Sequence, residues 1–167
     1  SHFRLSIHLI IAFIIISLIL WSYLKLKIRN IVHEKINLYY PAILLALIFC
    51  QIIMGAFVSG MDAGQIYNTW PLMGSNYFPD DSSIFDLLKV SAFNDPSLVQ
   101  FLHRNVAYVI VIFYFIILFK IYKNKLLELF VPIKIIGVIL FIQIVLGIFT
   151  LLYGAQIYLA SMHQICS

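Results

Sequence analysis

Three histidines, His8, His103 and His163, are the residues of this chain best suited to chemistry. Each sits within the first two turns of a long apolar segment, in the first, third and fifth segments along the sequence. Alternate helices enter a bilayer from the same side, so this spacing predicts three imidazoles near one membrane face. Neutral imidazoles from facing helices can take both axial positions of a haem iron, given flat apolar walls for the macrocycle and cations for its propionates. Arg104, directly after His103, is placed to meet a propionate near the surface, and Arg4 stands four residues before His8.

A lone histidine in an apolar helix is more often a hydrogen-bonded packing residue than a ligand. Three at matched depth on alternating helices shift that balance. An imidazole buried in hydrocarbon is costly, and ionisable residues inside a membrane are functional candidates by default. Zinc fits less well, because no two of these histidines share a helix face at i, i+4 and no carboxylate lies beside them. His2 and His33 read as a terminal residue and a solvated loop residue. Cys50 and Cys166 lie inside apolar segments without metal-ligand spacing, and read as small packing residues.

The elements that must hold these side chains follow from composition. With 63% hydrophobic and 11% charged residues and a mean hydropathy of +1.01, too little polar surface exists for a soluble domain. A membrane helix needs roughly 20 apolar residues, which the segments 5–24, 38–60, 98–119 and 135–153 supply. A fifth segment starts at 155 and stops at 167. The runs are uniformly apolar, whereas barrel strands alternate, so the expected fold class is all-α, a polytopic transmembrane helix bundle. The first segment is too long for a secretory signal and lacks a small-residue cleavage site. The chain therefore reads as a fragment that starts and ends inside a larger protein, truncated in its last helix.

Charge sets the orientation. Lys25, Lys27, Arg29 and Lys35 occupy the first connection and Lys120, Lys123, Lys125 and Lys134 the third, so both are expected to face the cytoplasm. The second connection, the outer loop 61–97, carries only Lys89 against Asp62, Asp80, Asp81, Asp86 and Asp95. It and the histidine ends are expected on the periplasmic side. The net charge of +4 thus belongs to topology and to an anionic inner leaflet, and no basic cluster interleaved with aromatics points to nucleic acid.

An internal repeat links the second and fourth segments: Gln51, Gly55 and Phe57 recur in the same spacing as Gln143, Gly147 and Phe149, and Gln65-Ile66-Tyr67 recurs as Gln156-Ile157-Tyr158. More weakly, Ser6-Ile7-His8 is echoed by Ser161-Met162-His163. Two similar halves are implied. The glycines either let helices approach closely or leave room for a flat ligand. The outer loop opens with GMDAGQIYNTWPLM at residues 60–73, whose turn formers and Trp70 suit an interfacial anchor. Residues 80–89 are expected to form a short surface helix, with Ile84, Phe85, Leu87 and Leu88 dipping into lipid and lidding the bundle.

Asp62-Ala63-Gly64 with Tyr67-Asn68-Thr69-Trp70-Pro71, Phe101-Leu102-His103-Arg104 with Ala107-Tyr108, Gln143-Ile144 with Leu146-Gly147-Ile148, and Leu159-Ala160 with His163-Gln164 together resemble haem A synthase. The likeness is to the branch shared by alphaproteobacteria and mitochondria, and it covers nearly the whole chain. It implies an eight-helix, pseudo-symmetric protein of two four-helix halves. Residues 1–37 would be the last helix of the first half with its cytoplasmic linker, and 38–167 the second half, a haem b-binding bundle.

The resemblance implies an oxidoreductase that converts the C8 methyl of haem O to a formyl group, giving the haem A of cytochrome oxidase. Two hydroxylations would yield a geminal diol that loses water. His103 and His163 would hold a haem b that relays electrons, and His8 would be one ligand of the substrate haem. The partner histidine of that site, and a glutamate associated with its chemistry, have no counterpart in this sequence, so the fragment alone is expected to be inactive. The family's loop cysteines are also absent from 61–97. Implied partners are the lipid bilayer, haem O synthase, an electron acceptor or donor and a possible homo-oligomer, in a bacterial inner membrane.

The alternative is a membrane b-type cytochrome acting only in electron transfer, which usually places paired histidines at two membrane depths rather than one. A structural or haem-handling subunit would keep its chromophore without His103 and His163. A transporter is weaker still, since the spans hold no buried acidic pair.

Overall fold

The computed structural model describes residues 2–27 and 36–166. His33, Arg29 and Lys35 lie outside the described residues. Among these residues the only pairing of extended backbone is an isolated Met73–Asn76 bridge. The protein is an all-helical membrane bundle. Four helices are long and apolar enough to span a bilayer: α1 (His2–Lys27), α2 (Tyr39–Gly60), α3 (Pro96–Lys123) and α4 (Phe130–Leu152). The 22 residues of α2 rise about 33 Å at 1.5 Å each, enough for a hydrocarbon core of about 30 Å. In hydrocarbon every backbone group must be satisfied internally, which makes these uniformly apolar runs helical whatever their local propensity. A fifth helix, α5 (Ile157–Ile165), is 9 residues long.

Local chemistry fixes the ends. Asp95 caps α3 by accepting from the amides of Ser97 at 2.9 Å and Leu98 at 3.2 Å, and Pro96 takes the first helical position, where its missing N–H costs nothing. Lys120 and Lys123 close the other end, favourably disposed to the helix dipole. The α4–α5 turn needs left-handed backbone at Gly154, φ 65°, a conformation glycine adopts without strain.

α1 packs on α2, α2 on α3, and α4 on α5, with α3 bridging the two groups through α4. The largest buried cluster joins Tyr40 and Leu44 of α2, Ile110, Tyr114, Ile117 and Ile121 of α3, and Ile133 of α4. There the Tyr114 hydroxyl donates to the Ile133 carbonyl at 3.1 Å. Gly137, one turn further along α4, makes room for the phenol: a Cβ at 137 would lie 2.8 Å from Tyr114 Cζ and closer still to the hydroxyl. Nearer the outer loop, Met54 and Phe57 of α2 pack on Val99 of α3, and Phe3 of α1 meets Phe57 edge-on. Trp21, Phe119 and Phe141 are exposed, as lipid-facing side chains must be.

In place of the expected single surface helix, residues 80–89 hold one short 3₁₀ segment, Ile84–Leu88, and a second follows at Val90–Asn94. Ser83 and Asp86 form a reciprocal cap, and Lys89 pairs with Asp86 at 2.7 Å, so the turn closes after five residues. Ile84, Phe85 and Leu88 remain exposed, whereas Leu87 is half-buried.

Candidate functional site

The repeat seen in the sequence becomes two matching helix faces. Spacing of i, i+4 puts Gln51 and Gly55 on one face of α2, a turn apart, and Gln143 and Gly147 on one face of α4. Each face receives one histidine from the next helix. His103 of α3 lies on Gly55, where a Cβ would sit 3.3 Å from its Cε1; His163 of α5 lies on Gly147, where the same distance is 3.0 Å. The Gln51 amide nitrogen is 3.3 Å from His103 Nε2. The Gln143 amide instead donates to the main-chain carbonyl of His163 at 3.2 Å.

Both histidines keep a buried Nδ1 without a hydrogen-bond partner, as do the side-chain carbonyl oxygens of Gln51 and Gln143. A buried polar atom left unpaired costs on the order of 1–3 kcal/mol, so a ligand that met these two nitrogens, one on α3 and one on α5, would relieve that cost. Two uncharged nitrogen donors with no carboxylate suit an iron macrocycle better than a hard cation, and no His/Cys/Asp/Glu cluster suited to a bare metal ion occurs among the described residues. The donor types are ones that a haem iron accepts.

The other expected site residues are placed differently. His8 is exposed on α1 and stands apart from the glycine contacts made by His103 and His163. Arg104 does not wait for an anion: Nη1 donates to the carbonyls of Thr69 at 2.9 Å and Leu72 at 3.2 Å, and Nη2 to that of Tyr67 at 3.0 Å. Its Nε is buried and without a partner. The backbone of the loop is thus bound by a fork of donors one residue from His103.

Two residues, Gln100 and Asn68, have structural roles that the sequence did not assign them. Gln100 donates to the Tyr67 carbonyl at 3.0 Å, one turn before Arg104 on α3. Asn68 donates to Leu151, at the end of α4, at 2.9 Å and to Gly64 at 3.0 Å. Residues 64–72 therefore form a strap tied to the outer ends of both α3 and α4. The i, i+4 pair Gln100 and Arg104 flanking His103 was the available signal for it. Residues 80–89, the expected lid, dock instead through Asp81, which accepts from the Ser97 hydroxyl at 2.6 Å. Burial alone would raise that carboxyl, but hydrogen bonds from Ser97, Tyr67 and Ser82 outweigh it and hold Asp81 below the usual carboxylate range. Burial and the neighbouring Asp81 push the Tyr67 hydroxyl up. A cleft of about 600 Å³ opens beside Asp81, Lys89 and Asn94, away from the histidines.

The sequence model of a family described as cytochrome oxidase assembly protein, COX15-CtaA, matches residues 1–167. Heme A synthase of Pelagibacter ubique is 46% identical over 168 residues, covering 100% of this chain and 49% of its own length. Heme A synthase of Rickettsia bellii is 40% identical over 172 residues, covering 98% and 50% respectively; that of Rickettsia prowazekii is 36% identical over 168, covering 98% and 49%. The chain spans about half the length of the curated relatives it matches. No solved structure matches it.

Proposed function

Because this chain belongs to the COX15-CtaA family of cytochrome oxidase assembly proteins, we propose that it forms the haem b-holding part of a haem A synthase. That enzyme oxidises the C8 methyl of haem O to a formyl group. In this reading residues 1–37 close the first half of the protein and 38–167 make up the second.

One observation carries the proposal: His103 and His163, from two helices, each rest on a glycine and each keep a buried, unpartnered Nδ1. His103 and His163 would hold the haem, which would supply one-electron redox chemistry when bound. The chain's own residues position and shield. Gly55 and Gly147 give the rings room, and Gln51 and Gln143 hold one ring and one main chain. Arg104, Gln100 and Asn68 fasten the 64–72 strap to the start of α3 and the end of α4.

His8 contributes to the substrate-haem site, which needs a second histidine that this sequence does not supply. The chain alone then binds haem b without completing the oxidation. Basic residues on the first and third connections support a bacterial inner-membrane topology with the histidine ends periplasmic. Haem O synthase, an electron acceptor or donor and a second copy are the partners this reading calls for.

The test is a reduced-minus-oxidised spectrum with a pyridine haemochrome assay on the protein purified in detergent, beside His103→Ala and His163→Ala. A low-spin b-type signal lost in either variant supports the reading. A signal that survives both overturns the ligand assignment.

A further inference from the structure

The repeated glutamine and glycine do more than pack helices. If Gly55 and Gly147 served only close helix approach, the atoms nearest an added Cβ would be main chain or aliphatic groups of a neighbouring helix. Instead both atoms within 4 Å of a Cβ at 55 belong to the His103 ring, and the three nearest to one at 147 all belong to the His163 ring. One turn earlier on each helix, the glutamine contacts the same histidine, Gln51 at the imidazole and Gln143 at the main-chain carbonyl. The same two-residue device thus occurs twice, on different helices, and each copy meets a different histidine.

We propose that Gln51–Gly55 and Gln143–Gly147 are paired imidazole seats that fix the depth and rotation of His103 and His163 relative to each other. This rests on the haem reading above and deepens it. Gln51 and Gln143 are positioning residues. Gln51 restrains its ring directly. Gln143 acts one step removed, by holding α5 at residue 163. The glycines bound the rings on one side. Carbon atoms rest at about 3.5–4.0 Å, so a methyl at 147, 3.0 Å from Cε1, must displace the ring, whereas one at 55, at 3.3 Å, demands less. The seats are unequal, and His163 is the more tightly gauged.

The angle between two axial imidazole planes sets the anisotropy of a low-spin ferric haem, so the largest g value in electron paramagnetic resonance reads ring rotation directly. The experiment uses the haem-loaded full-length protein in detergent, with Gly55→Ala, Gly147→Ala and Gln51→Leu. The expected result is a shift of the largest g value in all three, larger for Gly147→Ala than for Gly55→Ala, with haem content in Gln51→Leu within twofold of the parent. Gln51→Leu leaves the backbone packing alone and decides the matter should an alanine variant fail to fold. An unchanged g value in Gln51→Leu and in whichever alanine variants fold overturns the seats. A parent signal that survives His103→Ala overturns the haem reading instead, which keeps the two failures apart.

Discussion

Arg104→Met should release the strap over the outer ends of α3 and α4. Methionine keeps most of the aliphatic stem and removes the fork that binds the carbonyls of Tyr67, Thr69 and Leu72 at 3.0, 2.9 and 3.2 Å. Hydrogen bonds to a charged donor contribute roughly 1.5–3 kcal/mol each when sheltered. Only the Tyr67 bond is partly buried, and the other two are exposed and exchange readily with water. Counting the first near its full value and the others at a fraction gives about 2–3 kcal/mol for strap closure. At about 1.4 kcal/mol per tenfold, 2 kcal/mol is roughly a 30-fold rise in the open population.

The assay is amide hydrogen exchange by mass spectrometry on the protein in detergent, following peptides that cover 64–74. There the amide of Met73 is bonded to Asn76 at 2.7 Å and that of Gly74 to the Thr69 hydroxyl at 2.8 Å. Exchange in this segment should speed up about 30-fold or more, with peptides from the α3 core around Ile110 and Ile117 unchanged. Arg104→Lys should fall between the two, because an ammonium is a compact point donor that cannot match three carbonyls laid out for a planar fork. Unaltered exchange at 64–74 in Arg104→Met would refute the assignment of Arg104 as the fastener.

Two further outcomes follow from other contacts. Gly137→Ala drives a methyl into the Tyr114 phenol, 2.8 Å from Cζ, and should destabilise the bundle by about 1–3 kcal/mol; adding Tyr114→Phe should recover part of it, read from thermal unfolding in detergent. Because the folded Asp81 carboxyl lies below its ordinary value, its docking to Ser97 is fully present above about pH 4 and is lost only as pH falls through that lower value. Protease sensitivity of 78–95 should therefore rise below the ordinary carboxylate range in the parent and lose that pH dependence in Asp81→Asn.

The helices and their order were legible in one dimension because each is a property of a contiguous run. Lipid offers the backbone no partners, so 20 or more apolar residues dictate a helix without reference to any neighbour. The same holds for the Asp95 and Pro96 start of α3, where cap and first turn lie within three residues. Three imidazoles at matched helix positions, and the duplicated Gln and Gly, were visible for the same reason, as periodicities along the chain.

The pairing was not visible. Which histidine meets which glycine is set by how α3 docks on α2 and α5 on α4, and side-chain period says nothing about rotation of one helix against another. Only the tertiary structure put His103 on Gly55 and His163 on Gly147, left His8 exposed on α1, and turned Arg104 toward the main chain of 67–72. The carbonyls it binds lie more than 30 residues away and carry no residue identity, so a backbone acceptor leaves no trace in the sequence.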